Sequence, residues 1–413
     1  MKKLVGAAII GQSGGPTSVI NASAAGVFLT ALKSEDITAV YGAKHGIKGI
    51  LNEEFYDISQ EELSELKLLK NTPSSMIGSV RYKLKDPAKD PADYNRLLEV
   101  FKKYNIRYFF YNGGNDSMDT AHKISLFFQS QNYECRIIGI PKTIDNDLYG
   151  TDHCPGYGSA AKYVATTLME IYHDATVYDT EMVTVVEIMG RNAGWLTAAA
   201  QLAVDKGQGP DLIYLPEITF DYDDFFSDVE KTLNKKGNVI IAISEGVKDQ
   251  DGKYIPEKYS TLATDSFGHA QLGGTASVLA NEIQKKFNVK VRGIEFSLMQ
   301  RCAAHLASAT DVEEAFNAGA EAVNSALAGY SDYMIGFERI SNSPYEIKYI
   351  HIPLENVANY EKKVPLEWIK PHGQGLTREF SEYALPLIQG EDKAPLINGL
   401  PRFAQLKKVL VKK

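Results

Sequence analysis

The segment Pro141-Lys142-Thr143-Ile144-Asp145-Asn146-Asp147 packs one lysine and two aspartates into a single short stretch. Phosphoryl transfer uses this combination: a carboxylate accepts a hydroxyl proton while cations neutralise the charge spreading over the phosphoryl oxygens. Taken alone, the stretch reads equally well as an Asx turn rich in Asp and Asn. Two Gly-Gly pairs, Gly14-Gly15 and Gly113-Gly114, add a second signal. Glycine lets a backbone turn sharply and approach an anion with no Cβ in the way. A helix N-terminus behind it adds N–H donors and partial positive charge. One such pair also reads as a tight strand-to-helix turn, but two at corresponding places favour a phosphate cradle. Neither is a Walker loop, since no Gly-Lys-Ser/Thr follows, and Gly11-Gln12-Ser13-Gly14-Gly15 lacks the GxGxxG spacing of dinucleotide sites.

These loops need elements to position them, and the pattern around them recurs. Leu4–Ile10 is apolar throughout, as strands buried on both faces are, and a small-residue helix from about Ser18 to Leu32 follows its Gly-rich loop. Arg107–Tyr111 leads into Gly113-Gly114-Asn115-Asp116-Ser117 and a helix with Met118, Ala121, Ile124 and Phe127 on one stripe. A third strand, Arg136–Ile140, runs into the Lys/Asp stretch. Strands alternating with helices imply largely parallel sheets covered on both faces, with ligands gathering at the carboxyl ends of the strands. After Gly150 the unit restarts: a helix near Ser159–Tyr178, a strand Val183–Ile188, the loop Met189-Gly190-Arg191, and a helix around Trp195–Ala203. Strands Leu212–Leu215 and Val239–Ile243 follow, the latter ending in Ser244-Glu245-Gly246. Then come a helix Leu272–Phe287, a strand Val289–Phe296 and a helix Asp311–Leu327. The expected fold is α/β: two facing, doubly wound, largely parallel-sheet domains with a C-terminal extension. The domains are residues 1–156, rejoined by about 300–335, then 157–299, and an extension at 336–413. That extension is charged and carries no motif, which suggests a cap or an oligomer contact.

Bulk properties narrow the function classes. With 413 residues, 44% hydrophobic and 23% charged, the chain has ample material for sizeable soluble cores. A net charge of −8 argues against broad binding to nucleic acid or anionic membranes. The three cysteines Cys135, Cys154 and Cys302 form no CxxC pair, so neither a disulfide framework nor a zinc site is indicated. Met1-Lys2-Lys3 before Leu4–Ile10 superficially resembles a signal peptide, but its apolar run is short and a Gly-rich loop replaces the cleavage site. No stretch approaches the ~20 apolar residues of a spanning helix. The chain reads as cytoplasmic.

Together, Gly113–Ser117, Pro141–Asp147, Met189-Gly190-Arg191 and Ser244-Glu245-Gly246 resemble the successive signatures of the phosphofructokinases, in order and with compatible spacing, from about residue 4 to about residue 340. The resemblance implies a general base at Asp145, taking the proton from the C1 hydroxyl of fructose 6-phosphate. It implies sugar-phosphate contacts at Thr143, Ile144, Met189, Gly190, Arg191, Glu245, Arg292, Leu298 and Arg301. On the donor side it implies Gly14, Gly15, Ser117 and Arg81, and Mg2+ near Asn115 and Asp147. Guanidinium suits phosphate because its donors are planar and bidentate, although any one of these arginines could sit in a surface ion pair.

Two positions bear on the donor. Members that use ATP resemble Gly-Gly-Asp-Gly-Ser in the second loop and have Gly after the catalytic-loop proline. Here those places hold Asp116 and Lys142. An aspartate there would occupy the volume of a nucleotide α-phosphate with like charge, at a cost of several kcal/mol, roughly, in a partly buried site. Lys142 suits a smaller donor and its leaving phosphate. Both substitutions resemble the family's pyrophosphate-dependent branch, whose reaction is readily reversible. Departures from the family pattern are Asn115 in place of a magnesium-contacting aspartate, Met182 in place of an arginine that reaches across a subunit interface, and Leu298 in place of a polar sugar-phosphate contact. The expected partners are pyrophosphate and fructose 6-phosphate within a homodimer or homotetramer. The alternatives are ATP as donor, sedoheptulose 7-phosphate as acceptor, or a non-catalytic sugar-phosphate-binding regulator.

Overall fold

A computed structural model describes residues 4–258, 273–358 and 360–413. Met1–Lys3 of the signal-like start and Leu272 of an expected helix lie outside the described residues. In the first half β1 (Gly6–Ser13), β2 (Ile37–Ala43), β3 (Phe55–Asp57), β4 (Ser79–Val80), β5 (Ile106–Gly113) and β6 (Arg136–Pro141) lie in one sheet. A second sheet holds β7 (Met182–Ile188), β8 (Leu212–Tyr214), β9 (Asn238–Ser244) and β10 (Lys290–Glu295), in the order β10-β7-β9-β8 and all parallel. The two sheets carry the expected α/β architecture.

Continuous apolar runs make these strands fit between two helical layers. Ala7 and Ile9 of β1 join Phe101 and Phe109 on one face, while Ala8 and Ile10 join Phe28 and Phe110 on the other. The second sheet divides in the same way: Val186 and Ile188 pack against Tyr157 and Leu196, and Val183 and Val185 against Phe225 and Leu279. The helices Ile20–Ala31 and Ala309–Leu327 cover the first sheet in very close contact. A Cβ on Gly26 would lie 2.0 Å from the Phe316 carbonyl, and one on Gly319 would lie 2.0 Å from that of Ser23. The helix Tyr157–Ala175 begins where Gly156 turns at φ 107, and the Asp311 carboxylate accepts from the N–H groups of Gly156 and Ser159 at 2.8 and 2.9 Å. The helix expected around Trp195–Ala203 is two short turns, Trp195–Ala198 and Ala200–Val204.

Beyond residue 332 the chain is woven through both sheets rather than appended to them. β11 (Tyr333–Asn342) and β12 (Tyr345–Pro353) form an antiparallel hairpin, and β11 extends the first sheet by pairing parallel with β6. Val364, Leu376, Phe380 and Leu387 then join the core under the second sheet. The last residues return to the first, where Leu410 bridges Tyr56 and the Val411 N–H donates to the Phe55 carbonyl.

A buried polar knot holds this weave. Both ring nitrogens of His153 face carboxylates, Nδ1 at 2.8 Å from Asp152 and Nε2 at 2.7 Å from Glu314. Arg339 of β11 donates to Asp152, and Tyr345 of β12 donates to Glu314. Burial alone would lower the imidazolium pKa, but Glu314 and Asp152 outweigh it and raise it to about 9. Because folding raises this pKa, the stability it contributes is complete below about pH 6.5 and is lost as the pH climbs through about 9. Melting curves recorded across that window should show Tm falling, with a flatter fall in His153→Asn. Equal slopes in the two proteins would assign the fall to other groups.

Candidate active site

The carboxyl ends of β1, β5 and β6 converge on one cavity of roughly 450 Å3. β1 ends at Ser13, and Gly14 follows with φ 77, where the chain turns back and meets β4. The Gly14 N–H donates to the Val80 carbonyl at 3.2 Å and Ser79 Oγ donates to the Gly14 carbonyl at 2.6 Å, which brings Arg81 to the cavity wall. β5 ends at Gly113, and the helix Asn115–Ser130 begins at once, so Gly114, Asn115, Asp116 and Ser117 present its N-terminus to the cavity. The first glycine loop differs. Its helix starts only at Ile20, so Pro16–Val19 separate Gly15 from that N-terminus.

Lys142 joins the three loops. Its backbone N–H donates to the Gly113 carbonyl at 3.0 Å, and its buried Nζ donates to the Gly15 carbonyl at 2.7 Å. Burial lowers its pKa to about 8, with Asp145 and Asp147 pulling the other way. A Cβ on Gly14 would lie 3.2 Å from that ammonium, and one on Gly15 would lie 3.0 Å from Arg301 Nη1, so both glycines keep space open for cations.

The rest of the β6 loop alternates between anchors and reactive groups. The Asp145 N–H donates to Thr143 Oγ1 at 3.1 Å. Ile144 turns away into the apolar cluster beneath the second sheet. Asn146 takes a left-handed conformation at φ 55 and is fully buried. Its Oδ1 accepts from the Cys154 N–H at 2.9 Å, and its Nδ2 donates to Tyr383 Oη at 2.7 Å, which in turn donates to the Asp152 carbonyl. Pinned at its centre, the loop exposes Asp145 and Asp147 to the cavity. Burial raises both carboxyls, and Asp145 and Glu361 help push Asp147 up to about 7. Asn115 Nδ2 donates to Asp147 Oδ2 at 3.2 Å, while Asn115 Oδ1 is buried with no hydrogen-bond partner.

The opposite wall comes from the second sheet. After β7, Gly190 adopts φ 144, its carbonyl accepts from Ser244 Oγ at 2.6 Å, and its N–H faces Glu245 Oε1 at 3.4 Å. Arg191, Asn192 and Ala193 then reach the same cavity as Lys142 and Asp145. Glu245 stands behind Gly190, and burial together with the Asp145 charge raises its pKa to about 7. Met189 packs against the apolar cluster, and its N–H donates to Gln300 Oε1 at 3.2 Å.

Of the expected sugar-phosphate residues Thr143 and Arg191 line this cavity, while Arg292 and Leu298 are among those that do not. Arg292 lies on β10, the edge strand of the second sheet, and its Nη1 pairs with Asp174 at 2.6 Å. Leu298 is 53% exposed, next to Ser297 at φ 45. Met182 is buried at the start of β7 against Ala175 and Ile240. Conversely, Glu361 lines the cavity although its segment carries no readable motif. Asn192 and Ala193 were within reach of sequence reasoning as the residues directly after Met189-Gly190-Arg191.

Comparison with known proteins gives consistent matches. The phosphofructokinase family model matches residues 7–326. A protein of Xanthomonas campestris pv. campestris named pyrophosphate–fructose 6-phosphate 1-phosphotransferase is 46% identical over 97% of this chain and 96% of its own. A Halomonas elongata protein of the same name is 44% identical over 97% and 96%. The crystal structure of a pyrophosphate-dependent phosphofructokinase from Nitrosospira multiformis superposes with a TM-score of 0.90 at 40% identity, covering 99% of this chain and 98% of that one. With the match running from the start of β1 nearly to the end of the Ala309–Leu327 helix, the chain belongs to the phosphofructokinase family.

Proposed function

We propose that this enzyme reversibly transfers a phosphoryl group from inorganic pyrophosphate to the C1 hydroxyl of fructose 6-phosphate, giving fructose 1,6-bisphosphate and phosphate. The observation that carries this reading is that Asp116 and the buried Lys142 line one cavity together with Gly14, Gly15 and Gly114. Asp116 sets a carboxylate where a longer polyphosphate would continue, and Lys142 holds a cation against the short donor. The names borne by relatives 43–46% identical to the chain agree in donor and acceptor.

In the forward direction Asp145 removes the C1 hydroxyl proton. The freed oxygen attacks one phosphorus of pyrophosphate, the bridging P–O bond breaks, and the leaving phosphate keeps that electron pair beside Lys142. A carboxyl raised by burial is a stronger base once ionised, and this suits proton removal from an alcohol. Arg81 and the N–H groups around Gly14, Gly15 and Ser117 hold the donor. Thr143, Arg191, Arg301, Glu245 and the backbone of Ile144, Met189 and Gly190 hold the sugar phosphate.

Members of the family generally need a divalent metal. The unpartnered oxygen of Asn115, beside Asp147, fits a hard cation, and we assign Mg2+ to these two side chains. When bound, it would offset charge on the phosphoryl oxygens. Among the described residues no group of three His, Cys, Asp or Glu side chains could hold a metal ion, so oxygens of the donor would be needed beside Asn115 and Asp147.

We assign residues 1–156 with about 300–335 to the donor side and 157–299 to the acceptor side. We place the enzyme in the cytoplasm as a homodimer or homotetramer; no helix among the described residues is long and apolar enough to cross a membrane. A sugar-phosphate contact from Arg292 then requires a second copy to present it.

Steady-state assays with Mg2+ should show turnover with pyrophosphate and fructose 6-phosphate, and little with ATP or sedoheptulose 7-phosphate. Activity with ATP alone would sink the donor assignment. Asp145→Asn should lower kcat by about 10²–10⁴ while sugar-phosphate binding persists by calorimetry. Asp116→Gly with Lys142→Gly should depress pyrophosphate turnover and admit ATP; no gain with ATP would show that bulk and charge at these positions do not explain donor choice. Asn115→Ala should raise the Mg2+ concentration for half-maximal rate by about ten-fold or more, and an unchanged value would remove Asn115 from the metal site.

A further inference from the structure

Glu361 is a carboxylate lining the cavity that comes from the chain beyond the matched family region. Its backbone belongs to the catalytic-loop side. Glu361 bridges Leu148 in antiparallel fashion, and the next N–H, of Lys362, donates to the Asp147 carbonyl at 2.8 Å. Lys362 Nζ continues the seam by donating to the carbonyls of Thr151 and Asp152. The Glu361 side chain faces the other way, its Oε1 accepting from Asn192 Nδ2 at 2.7 Å. One residue thus spans from the loop after β6 to the loop after β7.

The loop after β7 is held at both ends. The Met189 N–H donates to Gln300, the Gly190 carbonyl accepts from Ser244, and the Gly194 N–H donates to Glu217 Oε1 at 2.8 Å. Between those anchors lie Arg191, Asn192 and Ala193, which all line the cavity. Glu361 ties the middle of this stretch. Its own backbone is fixed by the Asp147–Asp152 seam and by Trp195 Nε1, which donates to the Lys362 carbonyl at 2.9 Å.

We infer that Glu361 is a positioning residue for acceptor binding: through Asn192 it sets the Arg191–Ala193 loop at a fixed distance from the loop that bears Asp145. The inference deepens the proposed function and rests on it. The tie acts by donating and accepting a hydrogen bond, so an amide that keeps the acceptor oxygen can replace the carboxylate. Loss of the tie loosens the sugar-phosphate wall and leaves the donor wall, built on Gly14, Gly15 and Lys142, in place.

Wild type and variants are compared in the pyrophosphate-dependent assay. Glu361→Ala should raise the KM for fructose 6-phosphate about five- to ten-fold, with the KM for pyrophosphate within about two-fold. Glu361→Gln should bring the acceptor KM back close to wild type. Asn192→Asp, which sets two carboxylates against each other, should raise it as Glu361→Ala does. The double variant Asn192→Asp with Glu361→Gln should recover, because the pair then bonds with donor and acceptor exchanged. An unchanged acceptor KM in Glu361→Ala, an equal rise in the pyrophosphate KM, or no recovery in the double variant overturns the inference. If Glu361→Ala fails to fold, the Asn192→Asp single and double variants decide it alone. A wild type inactive with both substrates overturns the functional reading, and this inference with it.

Discussion

The active site is organised around one buried ammonium. Lys142 contributes its backbone N–H to the end of β5 and its Nζ to the loop after β1, so three strand ends are locked to a single residue. Burying a cation costs several kcal/mol unless carboxylates or carbonyls face it. Here Asp145 and Asp147 supply the opposite charge from the same loop, while burial still drags the lysine pKa down to about 8. The reciprocal effect falls on the carboxyls, which burial pushes up. Each group is tolerable only because the others are there. The pinned Asn146, whose buried amide is satisfied on both sides, prevents the loop from relaxing that crowding.

The wall built on the second sheet repeats this arrangement with less charge. Glu245 has its pKa lifted to about 7 by burial and by Asp145 across the cavity, and the Gly190 N–H is oriented toward it. Such crowding of carboxyls opposes folding as the pH rises, and it persists where chemistry needs it. The knot at His153 favours the charged form, because both ring nitrogens meet carboxylates, and its contribution too is lost as the pH rises.

What sequence reasoning reached, and what it did not, follows from how local each signal is. Leu4–Ile10, Arg107–Tyr111 and Arg136–Ile140 are legible because strands covered on both faces need unbroken apolar runs, and Gly14-Gly15, Gly113-Gly114 and Pro141–Asp147 are legible because their chemistry is contiguous. β11 and β12 escaped notice because only their inner halves reach the core. Beyond Phe337 exposed and half-buried residues alternate with charges, which reads as surface. Glu361 has no local pattern at all, since its place in the cavity depends on a bridge to Leu148 more than two hundred residues earlier. Arg292 has the right residue type and spacing, but a strand at the sheet edge directs it to Asp174 instead.

Donor choice illustrates how a fold can refuse a ligand without losing stability. The helix Asn115–Ser130 points its N-terminus at the cavity, and such a terminus ordinarily attracts phosphate. Asp116 sits in its first turn, where a carboxylate is favourable to the helix by about 0.3–1 kcal/mol. The residue that occupies the phosphate-attracting position therefore stabilises the element that carries it. On the proposed assignment a nucleotide α-phosphate arriving there would meet like charge and a helix dipole already partly answered. A pyrophosphate, ending one phosphate earlier, would meet the Lys142 ammonium and the glycine backbone instead. On that assignment, repulsion at one side chain and attraction at another, on loops joined by one hydrogen bond, would separate two donors that share the same reacting bond.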